Sequence, residues 1–171
     1  MFNEKFIKIV NRAAKHGLYC LRITTEQDYD CVQFFDPDVK IPWSPESFHY
    51  EIRRFKDGSY RIGFHCEKSN QNYIFADNRM MPFLKQCFDM ALAAQIAKSF
   101  TTSDTKLWGD EIKFNTQKTE NIEIYWDIEL NEQDSDDVIT WKLSEFRKSL
   151  NPVIGAAIGG FIQAAQPYIG Q

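Results

Sequence analysis

Two runs of alternating apolar and polar residues, 48–55 and 60–67, constrain the fold most, because they flank an Asp57-Gly58 turn signal and predict a β-hairpin. The apolar members all have even numbers: Phe48, Tyr50, Ile52, Tyr60, Ile62, Phe64 and Cys66. If one face of the hairpin is buried, directly paired positions must therefore have numbers with an even sum. A two-residue Asp57-Gly58 turn gives an odd sum, so the pattern excludes it.

Two registers of this hairpin satisfy the pattern. A three-residue loop that ends in a bulge glycine, Gly58, pairs His49 with His65 and places two arginines opposite each other. The alternative pairs His49 with Glu67 and separates the arginines. Turn geometry favours the first register and charge pairing favours the second, so the sequence leaves both open. In either register six polar side chains share the face opposite the apolar one: His49, Glu51, Arg53, Arg61, His65 and Glu67.

This polar face contains the donor atoms of a metal site. Imidazole nitrogens and carboxylate oxygens are suitable ligands for zinc or manganese. The candidate ligands are His49, Glu51, His65 and Glu67. The sequence therefore provides one hypothesis of metal binding at residues 48–67.

The same face also offers the groups of a phosphodiesterase. His49 and His65 are candidates for the base and the acid of RNA cleavage, and Arg53 or Arg61 for the group that neutralises the phosphate. Alternating charged residues on the solvated side of an antiparallel sheet need no function, however. Sequence analysis therefore favours an ordinary solvated face with no catalytic residue, no metal and no other cofactor.

The remaining patterns predict one α+β domain over residues 1–171. Strands are predicted at 18–24, 30–35, 48–55, 60–67, 111–115 and 121–130. Helices are predicted before Gly17, from about 78 to 100 and from 134 to 150, where Asn151-Pro152 ends one helix and can begin another. This order predicts an antiparallel sheet of about five to six strands packed by an N-terminal helix, a long central helix and C-terminal helices. In its layout of elements the chain resembles type III secretion chaperones.

Several functional classes are disfavoured by what the sequence lacks. It contains no G-x-S-x-G nucleophile elbow, no Walker-type phosphate loop and no dinucleotide fingerprint. The N-terminal residues have no apolar core of a secretory signal. The four cysteines form no C-x-x-C pair and are expected to be buried, reduced thiols: Cys20, Cys31, Cys66 and Cys87. These features predict a cytoplasmic protein.

Charge is distributed unevenly along the chain. The net charge is −4, yet the segment between Lys118 and Lys142 contains acids and no Lys or Arg. The predicted partner-binding surface comprises Glu123, Tyr125, Asp127, Glu129, Glu132 and Asp134. Such a surface attracts a basic protein and repels nucleic acid. The main hypothesis is thus a non-enzymatic module that binds a basic protein, as an inhibitor, an immunity protein or a chaperone does. The alternative is a phosphodiesterase or nuclease whose site lies at residues 48–67 and uses either a metal ion or the two histidines.

Residues 151–171 form a tail without a charged side chain. Gly155 and Gly159 have the spacing at which small residues allow helices to approach closely. The apolar stretch is shorter than the roughly 20 residues that a membrane-spanning helix needs. The tail is therefore expected to be a helix that packs against the core or a second copy of the chain, which allows a homodimer through the tail and predicts no membrane contact.

Overall fold

The computed structural model describes residues 4–39, 48–67, 80–99, 112–115, 121–128 and 136–169. The elements within these ranges are α1 (Glu4–Lys15), β1 (Tyr19–Thr25), β2 (Tyr29–Phe35), β3 (Phe48–Phe55), β4 (Tyr60–Glu67), α2 (Met80–Ser99), β5 (Ile112–Asn115), β6 (Asn121–Ile128) and α3 (Asp136–Ile169). They make an antiparallel sheet with helices, which confirms the predicted α+β class.

The sheet has the strand order β1-β2-β3-β4-β6-β5. Even-numbered residues of the central strands point to one face, where Val32, Ile52, Ile62 and Trp126 form one row across the sheet. These side chains and the apolar faces of the three helices form the hydrophobic core. The helices α2 and α3 pack against each other, and α1 packs against α3.

The β3–β4 hairpin adopts the register that turn geometry favours. His49 lies opposite His65 and Arg53 opposite Arg61. Gly58 has a φ of 88°, and its N–H donates to the Phe55 carbonyl at 3.0 Å, as expected for a type I turn followed by a bulge glycine. The three-residue loop is confirmed, and the register that pairs His49 with Glu67 is excluded.

The helix α3 continues through the predicted break at Asn151-Pro152, and that prediction is wrong. The buried apolar residues keep one helical period on both sides of the proline: Ile139, Leu143, Phe146, Leu150, Val153, Ile154, Ala157, Ile158 and Phe161. A proline within a helix costs about 3 kcal/mol, but burying one large aliphatic or aromatic side chain contributes about 1.5–3 kcal/mol. The free energy gained by burying the apolar residues after Pro152 therefore exceeds the cost of the proline, and the helix continues. The tail packs against the core, as expected.

Two further expectations concern the thiols and membranes. The four cysteines are free thiols. Cys31 and Cys66 are buried as predicted, Cys87 is half-buried, and Cys20 is exposed because it lies on the edge strand β1. Among the described residues, no helix combines the length and the apolar character needed to cross a membrane.

Candidate metal centre

The odd-numbered face of the central strands holds a group of buried polar side chains. His49, His65 and Glu123 form one row across β3, β4 and β6, and Glu51 lies in the next row. Their exposed fractions are only 1% for His49, 2% for Glu51, 4% for His65 and 3% for Glu123. The expectation that this face is solvated is therefore wrong for these four residues, which we call the His–Glu cluster.

Gly63 makes room for the cluster. It lies between Glu51 on β3 and Tyr125 on β6 in the strand register. A Cβ atom at this position would lie 3.4 Å from the Cδ2 and Nε2 atoms of His65 and 3.5 Å from Cγ of Glu51. A glycine inside a strand often marks a place where another group approaches the backbone closely. Here the side chains of His65 and Glu51 come together over the glycine.

The potential ligand atoms are separated by distances that suit a shared metal ion. Nε2 of His65 lies 3.0 Å from Oε1 of Glu51 and 3.3 Å from Oε1 of Glu123. Nε2 of His49 lies 3.6 Å from Oε2 of Glu51. One ligand atom from each of His49, Glu51 and His65 falls within 4.8 Å of the others. Tetrahedral zinc ligands at about 2.0–2.2 Å lie roughly 3.3–3.6 Å apart, so small side-chain movements suffice to hold an ion.

The arginine Arg53 is also part of this arrangement. Its Nε contacts Glu51, its Nη1 lies 3.6 Å from Oε1 of Glu123, and its Nη2 lies 3.3 Å from Nε2 of His65. Burial alone would raise the pKa of Glu51, but the neighbouring His49 and His65 side chains and the charge of Arg53 hold that pKa well below its usual value. Glu51 is therefore an ionised carboxylate at neutral pH.

A buried thiol lies beside Glu51 on β2. Sγ of Cys31 donates a weak hydrogen bond to Oε2 of Glu51 at 3.6 Å. Burial and then the negative charge of Glu51 raise the pKa of Cys31 far above its usual value. In the metal-free protein the thiol stays protonated at neutral pH, and Cys31 is a hydrogen-bond donor to the cluster.

The predicted partner-binding residues lie in different environments in the structure. Glu123 is buried because β6 pairs with β4 and brings its carboxylate beside His65, so its predicted place on the surface is wrong. The carboxylate of Asp127 is 47% exposed and accepts hydrogen bonds from Arg61 at 2.6 and 3.1 Å. The ring of Tyr125 lies 4.0 Å below the Arg61 guanidinium. Three predicted contact residues lie outside the described residues: Glu129, Glu132 and Asp134.

The sequence pattern predicts three of the four cluster members but not the fourth. It proposed Glu67, which lies in β4 opposite Asn121 and whose side chain falls outside the described part of the structure. It assigned Glu123 to a binding surface, because the hairpin pattern alone does not show which strand pairs with β4. The alternation in 121–128 correctly places Glu123 on the polar face of its strand. It does not show that β4 is the neighbouring strand, and this pairing brings Glu123 beside His65.

The four side chains thus form a compact set of two imidazoles and two carboxylates on three adjacent strands, with one guanidinium between them. Comparison of the chain with protein-family models, with curated proteins and with solved structures found no match.

Proposed function

We propose that this chain is a metal-binding protein in which His49, Glu51, His65 and Glu123 hold one divalent ion. The observation that supports it is the burial of two histidines and Glu51 with ligand atoms within 4.8 Å of one another. Solvated acidic groups often cluster without an ion, but buried ionisable groups require compensation. A divalent ion would neutralise both carboxylates and use the neutral form of both imidazoles.

The donor set favours an ion of the zinc class. Mixed nitrogen and oxygen donors suit zinc, manganese and iron, whereas calcium and magnesium prefer sites composed of oxygen atoms. Four buried protein donors leave no open position, which is typical of structural rather than catalytic zinc sites. We therefore assign the ion the role of joining β3, β4 and β6, in a protein without enzymatic turnover.

The alternative of a two-histidine phosphodiesterase is less well supported by the same contacts. The His49 side chain is inaccessible to solvent, and His65 Nε2 is close to two carboxylates, which repel a phosphate. A general acid or base must come within hydrogen-bond reach of the reacting atom. We therefore keep metal binding as the function to be tested first.

The test is metal analysis of protein whose affinity tag has been removed. We expect about one zinc-class ion per chain after purification without chelators, and a cobalt-substituted protein with the visible absorption of a tetrahedral site. At a free ion concentration 100 times the Kd, the ion should raise the free energy of unfolding by about 2.7 kcal/mol. Thermal denaturation with and without EDTA measures this effect.

The third histidine provides a matched control. His16 is exposed and lies outside the cluster, so His16→Ala should keep the bound ion and the EDTA effect. His49→Ala and His65→Ala should lose both. Folded wild-type protein that contains no ion and is not stabilised by zinc, manganese or iron would refute the proposal. So would equal losses in all three variants.

Binding of a basic protein remains a separate prediction. It is supported by the acidic composition of the segment between Lys118 and Lys142 and by the exposed carboxylate of Asp127. A salt-dependent pull-down from the native lysate tests it, with Glu129, Glu132 and Asp134 changed to Lys in the comparison protein. A partner retained equally by both proteins would contradict the acidic mechanism. The cytoplasmic location and the homodimer also remain predictions, and size-exclusion chromatography tests the latter.

A further inference from the structure

The guanidinium of Arg53 lies where an ion would have to bind. Each of its three nitrogens is close to a different member of the His–Glu cluster: Nε contacts Glu51, Nη1 lies 3.6 Å from Oε1 of Glu123, and Nη2 lies 3.3 Å from Nε2 of His65. Arg53 is thus a cation already bound by the candidate metal ligands.

Arg53 and a metal ion cannot occupy the cluster together. An ion about 2.0–2.2 Å from Glu51 and His65 would take the space between the same atoms that the guanidinium contacts, and His65 Nε2 would give up the proton that it donates to Glu51. The two cations would also repel each other in a buried environment, where such repulsion is poorly screened. One cation must therefore leave when the other binds.

Arg53 and a divalent ion differ in how much of the negative charge of the cluster each compensates. Arg53 compensates Glu51 and shares Glu123 with Arg61, whereas a divalent ion would compensate both carboxylates by itself. The Arg53 side chain is also partly exposed, and its guanidinium already stacks 4.9 Å from the ring centroid of half-buried Tyr29 on β2 while it contacts the cluster. Rotation of the long side chain past Tyr29 into solvent would remove the charge from the cluster.

We propose that Arg53 is an exchangeable resident cation: it holds the carboxylates in the metal-free protein and is displaced into solvent when the ion binds. This inference rests on the proposed metal-binding function and adds a way in which Arg53 regulates the affinity for the ion. Metal loading then moves a positive charge from the buried cluster into solvent. The affinity for the ion is lowered by the contacts that Arg53 must give up.

Removal of the resident cation is the direct test. Arg53→Gln should bind zinc roughly tenfold to a hundredfold more tightly than the wild type, because the ion no longer displaces a charge-assisted contact. A competition titration against a chromophoric chelator measures the two affinities. Arg61→Gln is the matched control, since Arg61 lies opposite Arg53 but reaches the cluster only through Glu123, at 3.9 Å. Its affinity should stay within about threefold of the wild type.

Each outcome identifies the statement that fails. Zinc binding by neither wild type nor Arg53→Gln refutes the metal-binding function. Equal affinity of the two refutes the exchange alone. Binding by Arg53→Gln only refutes both, because the guanidinium is then a permanent occupant.

A measurement on the wild type covers the case in which Arg53→Gln fails to fold. The side-chain Nε–H resonance of Arg53, assigned by its loss in Arg53→Lys, should shift and exchange faster with water when zinc is added. An unchanged, protected resonance in zinc-loaded protein would overturn the exchange.

Discussion

Replacement of Asp36 by Asn tests how α3 is held against the sheet. Asp36 follows β2 directly, and its carboxylate accepts hydrogen bonds from Arg147 and from Asn151 of α3. Arg147 also donates to the carbonyl oxygen of His16 after α1, at 2.7 Å. The Asp36 side chain is 1% exposed, so its charge depends on these partners. The substitution keeps the shape of the side chain and removes the charge.

The expected loss of unfolding free energy follows from the burial of the ion pair between Asp36 and Arg147. Removing one partner of a fully buried ion pair costs about 3–5 kcal/mol. Arg147 keeps the His16 carbonyl and the Asp38 carboxylate, and it is partly exposed, so we expect Asp36→Asn to lower the free energy of unfolding by about 2–4 kcal/mol. Asp38→Asn is the control: its carboxylate also contacts Arg147, at 2.9 Å, but is 78% exposed and should contribute about 0–1 kcal/mol.

Urea denaturation followed by tryptophan fluorescence and circular dichroism measures both losses. Equal losses for the two variants would refute the argument from burial. A loss below about 1 kcal/mol for Asp36→Asn would refute it as well.

The same pair predicts a pH dependence. Burial alone raises the pKa of Asp36, but the hydrogen bonds from Arg147, Asn151 and the Asp38 N–H outweigh it and lower that pKa. A lowered pKa in the folded state gives stability that is present above the unfolded value of about 3.9 and is lost as the pH falls through the folded value. The difference between wild type and Asp36→Asn should therefore be largest near neutral pH and shrink in acid. A difference that grows in acid would contradict this sign.

The remaining predictions concern three glycines and the proline of α3. Gly17→Ala and Gly58→Ala should each cost about 1–2 kcal/mol of unfolding free energy in urea denaturation, since their φ values of 84° and 88° strain any residue with a Cβ and neither Cβ would meet a clash. Gly63→Val should fill the space of the His–Glu cluster, and metal analysis of the folded variant should find the ion lost. Pro152→Ala should raise the unfolding free energy by up to about 3 kcal/mol in thermal or urea denaturation, because it restores a helical hydrogen bond.

The β3–β4 hairpin shows how far local patterns reach. The parity of the apolar residues identified the core face, and the bulge glycine at Gly58 favoured the loop that the structure adopts, although charge pairing left the second register open. Both are properties of neighbouring residues. At Asn151-Pro152 a local signal was misleading, because it competed with apolar residues spaced over the whole of α3. Local rules predict well where no distant burial opposes them.

The burial of the polar face depends on contacts between distant segments. Glu123 reaches His65 through the pairing of β4 with β6, and Asp36 reaches Arg147 across 111 positions of the chain. The alternation of apolar and polar residues within one strand does not show which other strand pairs with it. The sequence therefore predicted the residue types of the site and their common face, whereas their burial and the fourth member required the topology of the sheet.

The third strand also explains why the hairpin tolerates two arginines opposite each other. Like charges at paired positions destabilise an isolated hairpin. In the sheet, Asp127 on β6 pairs with Arg61, and Glu51 on β3 contacts Arg53. Glu123 lies within 4 Å of both guanidinium groups, at 3.6 and 3.9 Å. Because these carboxylates separate and compensate the two charges, the turn at Gly58 can determine the register, and charge pairing within the hairpin no longer decides it.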